Sequence, residues 1–190
     1  MKKLPIDIIS ANCLTPKDSL IALDYCTKFF KFNNSILFTS EDVNSSNHKV
    51  QKIEKFKTID DYSNFILRLY DYVESDYVLI IQDDGFITNP DKWTDSFLEY
   101  DYIGAPWYEA IDAYIDPWGK QHRVGNGGFS FRSKKLLDVP KRAHIQFDVN
   151  WGDFYKHMNA QSTSEDGNIC VHNRHIYEAL GCTIAPIEVA

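Results

Sequence analysis

Short apolar runs alternate with amphipathic stretches along the first half of the chain. Residues 6–9 and 36–38 are rich in Ile, Leu and Phe, and they predict two buried strands. Between these runs Leu20, Leu23 and Phe30 recur at helical spacing, so we expect a helix over about residues 17–31. The chain is therefore predicted to begin with a β-α-β unit.

The strongest strand signal follows an amphipathic helix. Residues 76–81 form a nearly continuous apolar run, which is typical of a central strand covered on both faces, as parallel sheets require. Before it, an apolar stripe over about residues 60–74 predicts a helix on the sheet, with Asp60 and Asp61 at its amino-terminal cap. Residues 50–57 have a weaker strand pattern with charged residues on an open face.

The second half of the chain continues the alternation of strands and helices. Strands are expected at residues 100–104 and 129–132, and helices near 133–137 and 165–180. A long aromatic connection covers residues 106–122. These patterns predict a layered α/β fold, and the length favours a single domain over residues 1–190.

Charge and composition narrow the classes of function. A net charge of −7 argues against nucleic-acid binding, which depends on Lys and Arg neutralising phosphates. The longest apolar run, residues 77–81, is far shorter than the roughly 20 residues of a transmembrane segment. Asp7 and Asn12 interrupt any apolar stretch behind the basic amino terminus, so we expect a cytoplasmic protein. The four cysteines lack a Cys-x-x-Cys pair, and we expect reduced, mostly buried thiols.

Polar residues follow the strongest strand where open α/β sheets bind ligands, outside the carboxyl ends of their strands. They are Gln82, Asp83, Asp84 and Gly85. Carboxylates here can hold Mg²⁺ or Mn²⁺, which bridges to the phosphates of a nucleotide. Because neighbouring side chains of a strand face opposite sides, Gln82 and Asp84 would share one face, and Asp84 is the predicted metal ligand. The alternative is an Asp-Asp-Gly turn that ends the strand for backbone reasons alone.

Three glycines lie within residues 125–128, around Asn126. One interpretation is an Asn-Gly hairpin turn that leads into an alternating strand. The other is a ligand site, in which Gly127 and Gly128 let a sugar or phosphate approach the main chain and bond free amide groups. Trp107, in the aromatic connection, can either stack on a sugar or close a core.

Two acids follow a capping residue late in the chain. Ser164 can cap the next helix, and Glu165 and Asp166 suit its positive first turn, so capping alone can explain all three residues. In the functional interpretation, one of these carboxylates removes the proton from an attacking hydroxyl group. We favour Asp166 as this base, with Glu165 as the second candidate.

Taken together, four segments resemble the DUF5672 family and, more broadly, the GT-A glycosyltransferases. They are residues 82–86, 101–107, 124–132 and 165–166, and the resemblance extends from about residue 6 to the carboxyl terminus. It implies an α/β fold: a single-domain, Rossmann-like GT-A sheet with helices on both faces. The nucleotide-binding half would cover about residues 1–90, and the acceptor and catalytic half about residues 91–190.

The resemblance also implies a role for individual residues. A sugar would pass from a nucleotide-diphosphate sugar to a hydroxyl acceptor on a glycan, a lipid-linked molecule or a protein, with help from Mn²⁺ or Mg²⁺ at Asp84. The implied residues are Asn12, Asp42, Gln82, Asp83 and Asp84 for the donor, Trp107, Asn126, Gly127 and Gly128 for the sugars, and Asp166 with Glu165 for catalysis. The usual Asp-x-Asp motif of the class is Gln82-x-Asp84 in this chain.

Two other functions remain as alternatives from the sequence. A non-catalytic module for sugars or nucleotide sugars would use the same glycine and aromatic segments without changing a bond. A nucleotidyltransferase can share the sheet and the acidic strand end, but it normally has a basic, glycine-rich loop after the first strand. Residues 10–13 contain neither Gly nor Lys, so we rank this function lower.

Overall fold

The computed structural model of the protein describes residues 1–109, 114–145 and 164–190. Within them the strands are β1 (Lys2–Lys3), β2 (Asp7–Ala11), β3 (Phe30–Lys31), β4 (Asn34–Thr39), β5 (Lys49–Lys52), β6 (Tyr77–Ile80), β7 (Tyr102–Pro106) and β8 (Val124–Ser133). The α-helices are α1 (Pro16–Cys26), α2 (Ile59–Leu67), α3 (Lys134–Arg142), α4 (Glu165–Gly167) and α5 (Arg174–Ala179). Short 3₁₀ turns cover Leu69–Tyr72, Pro90–Lys92 and Asp95–Glu99, and a π-helical turn covers Asn168–His172.

Six strands form one mixed sheet in the order β5-β4-β2-β6-β8-β7. β5, β4, β2 and β6 run parallel to one another, whereas β8 is antiparallel to both β6 and β7. β6 is therefore a central strand, as predicted, with a parallel neighbour on one side and an antiparallel neighbour on the other. Because β8 runs the opposite way, its first residues lie at the same edge of the sheet as the carboxyl ends of β2 and β6.

Helices cover both faces of the sheet, as expected. On one face Ile8, Leu37, Leu79 and Phe131 pack into a core with Leu23 of α1. The opposite face contributes a second core, in which the strands pack against α2, α3 and α5; its members include Ile9, Ile36, Phe38, Ile66, Val78, Ile80, Leu136 and Tyr177. The α/β fold with helices on both faces is confirmed.

Several element boundaries differ from the prediction. The helix expected over residues 17–31 ends at Cys26, because Phe30–Lys31 pairs with β1 and buries the Phe30 ring. The cap of α2 is Thr58 rather than Asp60: the Thr58 hydroxyl accepts the Asp61 N–H group, and the Asp61 carboxylate accepts the Thr58 N–H group. The helix expected over residues 165–180 is divided into α4, the π-helical turn and α5.

Candidate functional site

A tight turn follows β6 and carries the two predicted donor-binding acids at its tip. The Gln82 N–H group donates to the Gly85 carbonyl (3.0 Å), and the Gly85 N–H group donates to the Gln82 carbonyl (3.2 Å). Asp83 and Asp84 are exposed between them, and the Asp83 carboxylate accepts the Thr15 hydroxyl (3.0 Å). Because β6 ends at Ile80, the strand pleat does not continue through these residues. The argument that put Gln82 and Asp84 on one face of a strand is therefore wrong.

The Gln82 side chain connects this turn to β8. Its Nε2 atom donates to the Tyr62 hydroxyl (3.3 Å), and its Oε1 atom lies so close to Gly128 that a Cβ atom there would come within 2.6 Å. Gly85 also packs on this part of β8, since a Cβ atom on Gly85 would lie 3.4 Å from the Gly128 carbonyl oxygen. The acidic turn and the glycine segment are thus in direct contact.

Asp166 contacts the same stretch of β8. Its Oδ2 atom accepts the Gly127 N–H group (3.1 Å), and its Oδ1 atom accepts the Gly167 N–H group (2.7 Å). Ser164 caps the short helix, as predicted, with its hydroxyl accepting the Gly167 N–H group (3.4 Å). The half-buried Asp166 carboxylate is therefore held in a fixed orientation.

Glu165 forms a buried ion pair beneath β8. Its Oε1 atom lies 2.8 Å from Nη2 of Arg132, and the two side chains are only 6% and 0% exposed. The Arg132 Nε atom donates to the Ser130 hydroxyl (3.0 Å), and the guanidinium lies 5.0 Å from the centre of the Tyr102 ring. Burial, followed by the Asp166 carboxylate, raises the pKa of Glu165, although Arg132 acts in the opposite direction. Glu165 is thus directed into the protein rather than into the open cleft.

The glycines of β8 make room for the protein's own side chains. A Cβ atom on Gly125 would collide with the Trp107 ring, and one on Gly127 would collide with Glu165. The Gly127 N–H group is bonded to Asp166, and the Gly128 N–H group donates to the Asn126 side-chain oxygen (3.0 Å). The expectation that these amides are free for a sugar or phosphate is therefore wrong. A sugar-binding role for Asn126, which is exposed, stays a prediction.

Trp107 covers this strand from the aromatic connection. Its ring stacks on Tyr114 with centres 4.3 Å apart and planes 3° apart. Burial, and then the charge of Asp166, raises the pKa of Tyr114, which indicates that the stacked pair is close to that carboxylate. Trp107 is half-buried and packs against the core. Residues 110–113 of the connection lie outside the described residues.

A cavity of about 460 Å³ opens beside the acidic turn, within the size range of small-molecule sites. Its lining includes Asn12, Thr58, Tyr62, Gln82, Asp83 and Asp84. Asn12 also shapes the loop after β2: its Oδ1 atom accepts the Leu14 and Thr15 N–H groups (2.8 and 2.9 Å), and its Nδ2 atom donates to the Ser19 hydroxyl (3.1 Å). Four of the five predicted donor-binding residues therefore lie around one cavity.

Asp42 is the fifth, and the structure does not bring it to this cavity. Its carboxylate is fully exposed and lies 2.5 Å from Nζ of Lys52 on the neighbouring strand. A role for Asp42 in donor binding stays a prediction that this geometry does not support.

A metal at Asp84 would need ligands from outside the protein. In the part of the chain that the structure describes, no group of three His, Cys, Asp or Glu residues could hold a metal ion. Asp84 is an exposed carboxylate, so Mg²⁺ or Mn²⁺ there would take its other oxygen ligands from phosphates and water, which both ions accept. The residues therefore fit a cation that arrives with a nucleotide better than a metal held by the protein alone.

Sequence reasoning missed Tyr62 and Arg132. Tyr62 lies on α2, far from the acidic turn in sequence, and the pattern predicted only a helix packed on the sheet. Arg132 carried a usable signal, because an Arg in an apolar strand needs a buried partner when its face is covered. The sequence offers many acids as that partner, and the fold selects Glu165.

The mixed sheet with helices on both faces defines a Rossmann-like α/β domain. A family model described as "Protein of unknown function (DUF5672)" matches residues 45–190. The chain therefore belongs to the DUF5672 family, whose description gives no function. Among curated proteins, none matches the sequence.

Two solved structures are similar to this chain at low sequence identity. One is the mannosyltransferase PcManGT from Pyrobaculum calidifontis in complex with GDP-Man and Mn²⁺, with a TM-score of 0.51 and 11% identity over 97% of this chain and 55% of that chain. Another is 2-C-methyl-D-erythritol 4-phosphate cytidylyltransferase from Thermus thermophilus, with a TM-score of 0.48 and 10% identity over 96% of this chain and 87% of that chain. Among the described residues, no helix has the length and apolar character to cross a membrane.

Proposed function

We propose that this protein is a glycosyltransferase, which moves a sugar from a nucleotide-diphosphate sugar to a hydroxyl acceptor. The observation that carries the proposal is that the acidic turn and Asp166 both contact the glycine segment of β8. Gln82 and Gly85 of the acidic turn pack on Gly128, and the next residue, Gly127, is bonded to Asp166. The turn that carries Asp84 and the segment that carries Asp166 thus contact neighbouring residues of one strand, which supports a common site for the cation and the base.

Asp166 is the proposed general base. Two backbone N–H groups hold its carboxylate, which leaves the remaining lone pairs of both oxygens able to accept a proton from an acceptor hydroxyl. Glu165 is a positioning residue in this proposal, because its ion pair with Arg132 anchors the short helix that carries Asp166. A role for Glu165 as a second base is less well supported, since the side chain is buried.

Asp84 is the proposed contact to the donor diphosphate through Mn²⁺ or Mg²⁺. Such a cation would stabilise the charge that develops on the departing diphosphate. Asp83 supports the turn through its bond to Thr15 at the start of α1, and Gln82 supports it through Tyr62. The mannosyltransferase complex with GDP-Man and Mn²⁺ supports this assignment as an analogy of fold.

The first experiment is a thermal-shift screen of nucleotide sugars with and without Mn²⁺, because a ligand that binds the native state raises its apparent stability. The best donor is then tested for transfer by measuring release of the nucleoside diphosphate. Donor binding without release or transfer would favour the non-catalytic binding module. Release of pyrophosphate from a nucleoside triphosphate would favour the nucleotidyltransferase, although the loop after β2 lacks both Gly and Lys.

Asp166→Asn tests the base directly. We expect kcat to fall by about 10² to 10⁴, the usual contribution of a positioned base, while the donor Kd stays near the wild-type value. Asp71→Asn is the matched control, because Asp71 is an exposed acid whose carboxylate pairs with Lys141 at 3.5 Å. Transfer by Asp166→Asn at the rate of Asp71→Asn would exclude Asp166 as the base.

A further inference from the structure

A second cavity lies beside the acidic turn, and the roles proposed so far leave it unused. It has a volume of about 500 Å³, which is within the usual range for ligand sites. Its walls are mainly apolar and include Phe86, Trp93, Phe97, Ile103, Phe129 and Phe131. Its chemistry therefore differs from that of the donor cavity, where Asn12, Gln82 and the two acids supply polar groups.

The two cavities share Asp84, which lines both of them. β8 connects the second cavity to the proposed base as well. Phe129 lines this cavity and follows Gly127, the residue bonded to Asp166, by two positions, or roughly 7 Å along a strand. A molecule in the second cavity would therefore have one end at Asp84, beside the donor cavity.

The lining of the cavity contains both polar and apolar groups. Exposed residues Asp84, Thr88, Asn89 and Lys92 contribute the polar lining, whereas the partly buried rings of Phe129 and Trp93 contribute the apolar walls. Ring contacts hold Trp93 in place, because its centre lies 6.1 Å from that of Phe30, 5.5 Å from that of Phe97 and 6.0 Å from that of Phe131. The apolar wall is thus supported by the core and does not need a ligand to form.

We propose that this cavity binds the hydrocarbon part of the acceptor, so that the acceptor is an amphiphile with its hydroxyl-bearing head at Asp84. The proposal rests on the proposed glycosyltransferase function. It narrows the acceptor from a glycan, a lipid-linked molecule or a protein to a lipid-linked molecule. A free glycan or a hydrophilic peptide would leave the aromatic walls without an apolar partner. A hydrocarbon chain would remove them from water and gain the free energy of that burial.

The test compares methyl β-D-glucoside with n-octyl β-D-glucoside, used below its micelle concentration, by calorimetry and by tryptophan fluorescence. Burial of each methylene is worth about 0.8 kcal/mol, or about fourfold in affinity, so burial of a few methylenes is sufficient for detection. We expect the octyl compound to bind at least about tenfold more tightly than the methyl compound. Equal binding of the two compounds would overturn the proposal.

Substitutions in the cavity wall test whether the octyl compound binds in this cavity. Ala105→Trp places an indole at the exposed Ala105, which lines the cavity, and we expect it to reduce the preference for the octyl compound to less than about threefold. Ala179→Trp is the matched control, because Ala179 is exposed on α5 away from the cavity. Ile103→Gln keeps the wall filled but makes it polar, and it should weaken octyl binding even where Ala105→Trp folds poorly. An unchanged preference in Ile103→Gln would also overturn the proposal.

This measurement needs no donor, so its failure is distinguishable from failure of the glycosyltransferase proposal. If octyl glucoside binding is weakened in Ala105→Trp but the protein transfers no sugar, the proposed apolar site is supported and the proposed glycosyltransferase function is rejected. If sugar is transferred to methyl and octyl glucosides efficiently and at the same rate, the glycosyltransferase function is supported and the apolar acceptor site is rejected.

Discussion

The buried ion pair between Arg132 and Glu165 gives the sharpest prediction about stability. Glu165→Ala removes the carboxylate and leaves a guanidinium that is 0% exposed without its charged partner. Breaking such a pair from one side typically costs about 3–5 kcal/mol, because the remaining charge stays buried. For a domain of this size, about 2–4 °C per kcal/mol corresponds to a fall in Tm of roughly 6–20 °C.

A second Arg–Glu pair in the same protein serves as the control. Arg174 and Glu178 on α5 are separated by 2.7 Å, compared with 2.8 Å for the buried pair, but their side chains are 16% and 46% exposed. Because exposed pairs of this spacing contribute about 0.3–0.5 kcal/mol, Glu178→Ala should scarcely change stability. The substitution and the contact distance are matched, so the difference between the two variants measures the effect of burial.

The assay is urea denaturation followed by circular dichroism, with the free energy of unfolding and the slope m fitted for each variant. The double variant Arg132→Met with Glu165→Leu adds a second arm, since replacing a buried pair by apolar residues is often neutral or stabilising. We expect this double variant to regain most of the stability lost in Glu165→Ala. The reasoning is refuted if Glu165→Ala and Glu178→Ala cost the same.

Two further predictions concern a buried histidine and a glycine under an aromatic ring. His172 is 3% exposed, and burial lowers its pKa to about 4. Because an unfolded histidine titrates near about 6.5, the native state binds fewer protons below that pH, and the free energy of unfolding should fall by about 3 kcal/mol as the pH drops to 4. Urea denaturation at several pH values should show a smaller fall in the free energy of unfolding for His172→Leu than for the wild type. The same dependence of that free energy on pH in both proteins would contradict the prediction. Gly125→Ala should displace the Trp107 ring, because the new methyl group would occupy its position. Unchanged near-ultraviolet circular dichroism in this variant would show that the ring has not moved.

The fold was predictable wherever one pattern dominated a segment. The apolar runs that became β2, β4 and β6 needed only local information, and the helices covering both faces followed from their stripes. The direction of β8 was not predictable in this way, because an alternating strand has the same pattern in a parallel or an antiparallel pair. Phe30 was assigned to a helix for a similar reason: its pairing with β1 depends on residues far away in the sequence.

The candidate site was predictable as a set of residues but not as an arrangement. Gln82, Asp84 and Asp166 were selected from strand ends and caps, and the structure brings their segments together across Gly127 and Gly128. The purpose of the glycines could not be derived, because it depends on which side chains lie above them. Asp42 shows that a position after a strand does not by itself predict a place at the site. It follows a strand as Asn12 does, but its side chain points to solvent and Lys52.

The antiparallel direction of β8 explains how one short strand segment contacts both the proposed base and the apolar cavity. A parallel strand in that position would bring its carboxyl end to the ligand edge, and the residues that could bind there would follow the strand in a loop. β8 instead enters at that edge, so its own first residues lie there, with Gly127 bonded to Asp166 and Phe129 lining the apolar cavity. Side chains at Gly127 and Gly128 would displace Glu165 and Gln82, which is why the segment is rich in glycine. The buried Arg132 further along the same strand then fixes the helix that carries Asp166, so the geometry of the proposed base depends on a residue that the acceptor never needs to touch.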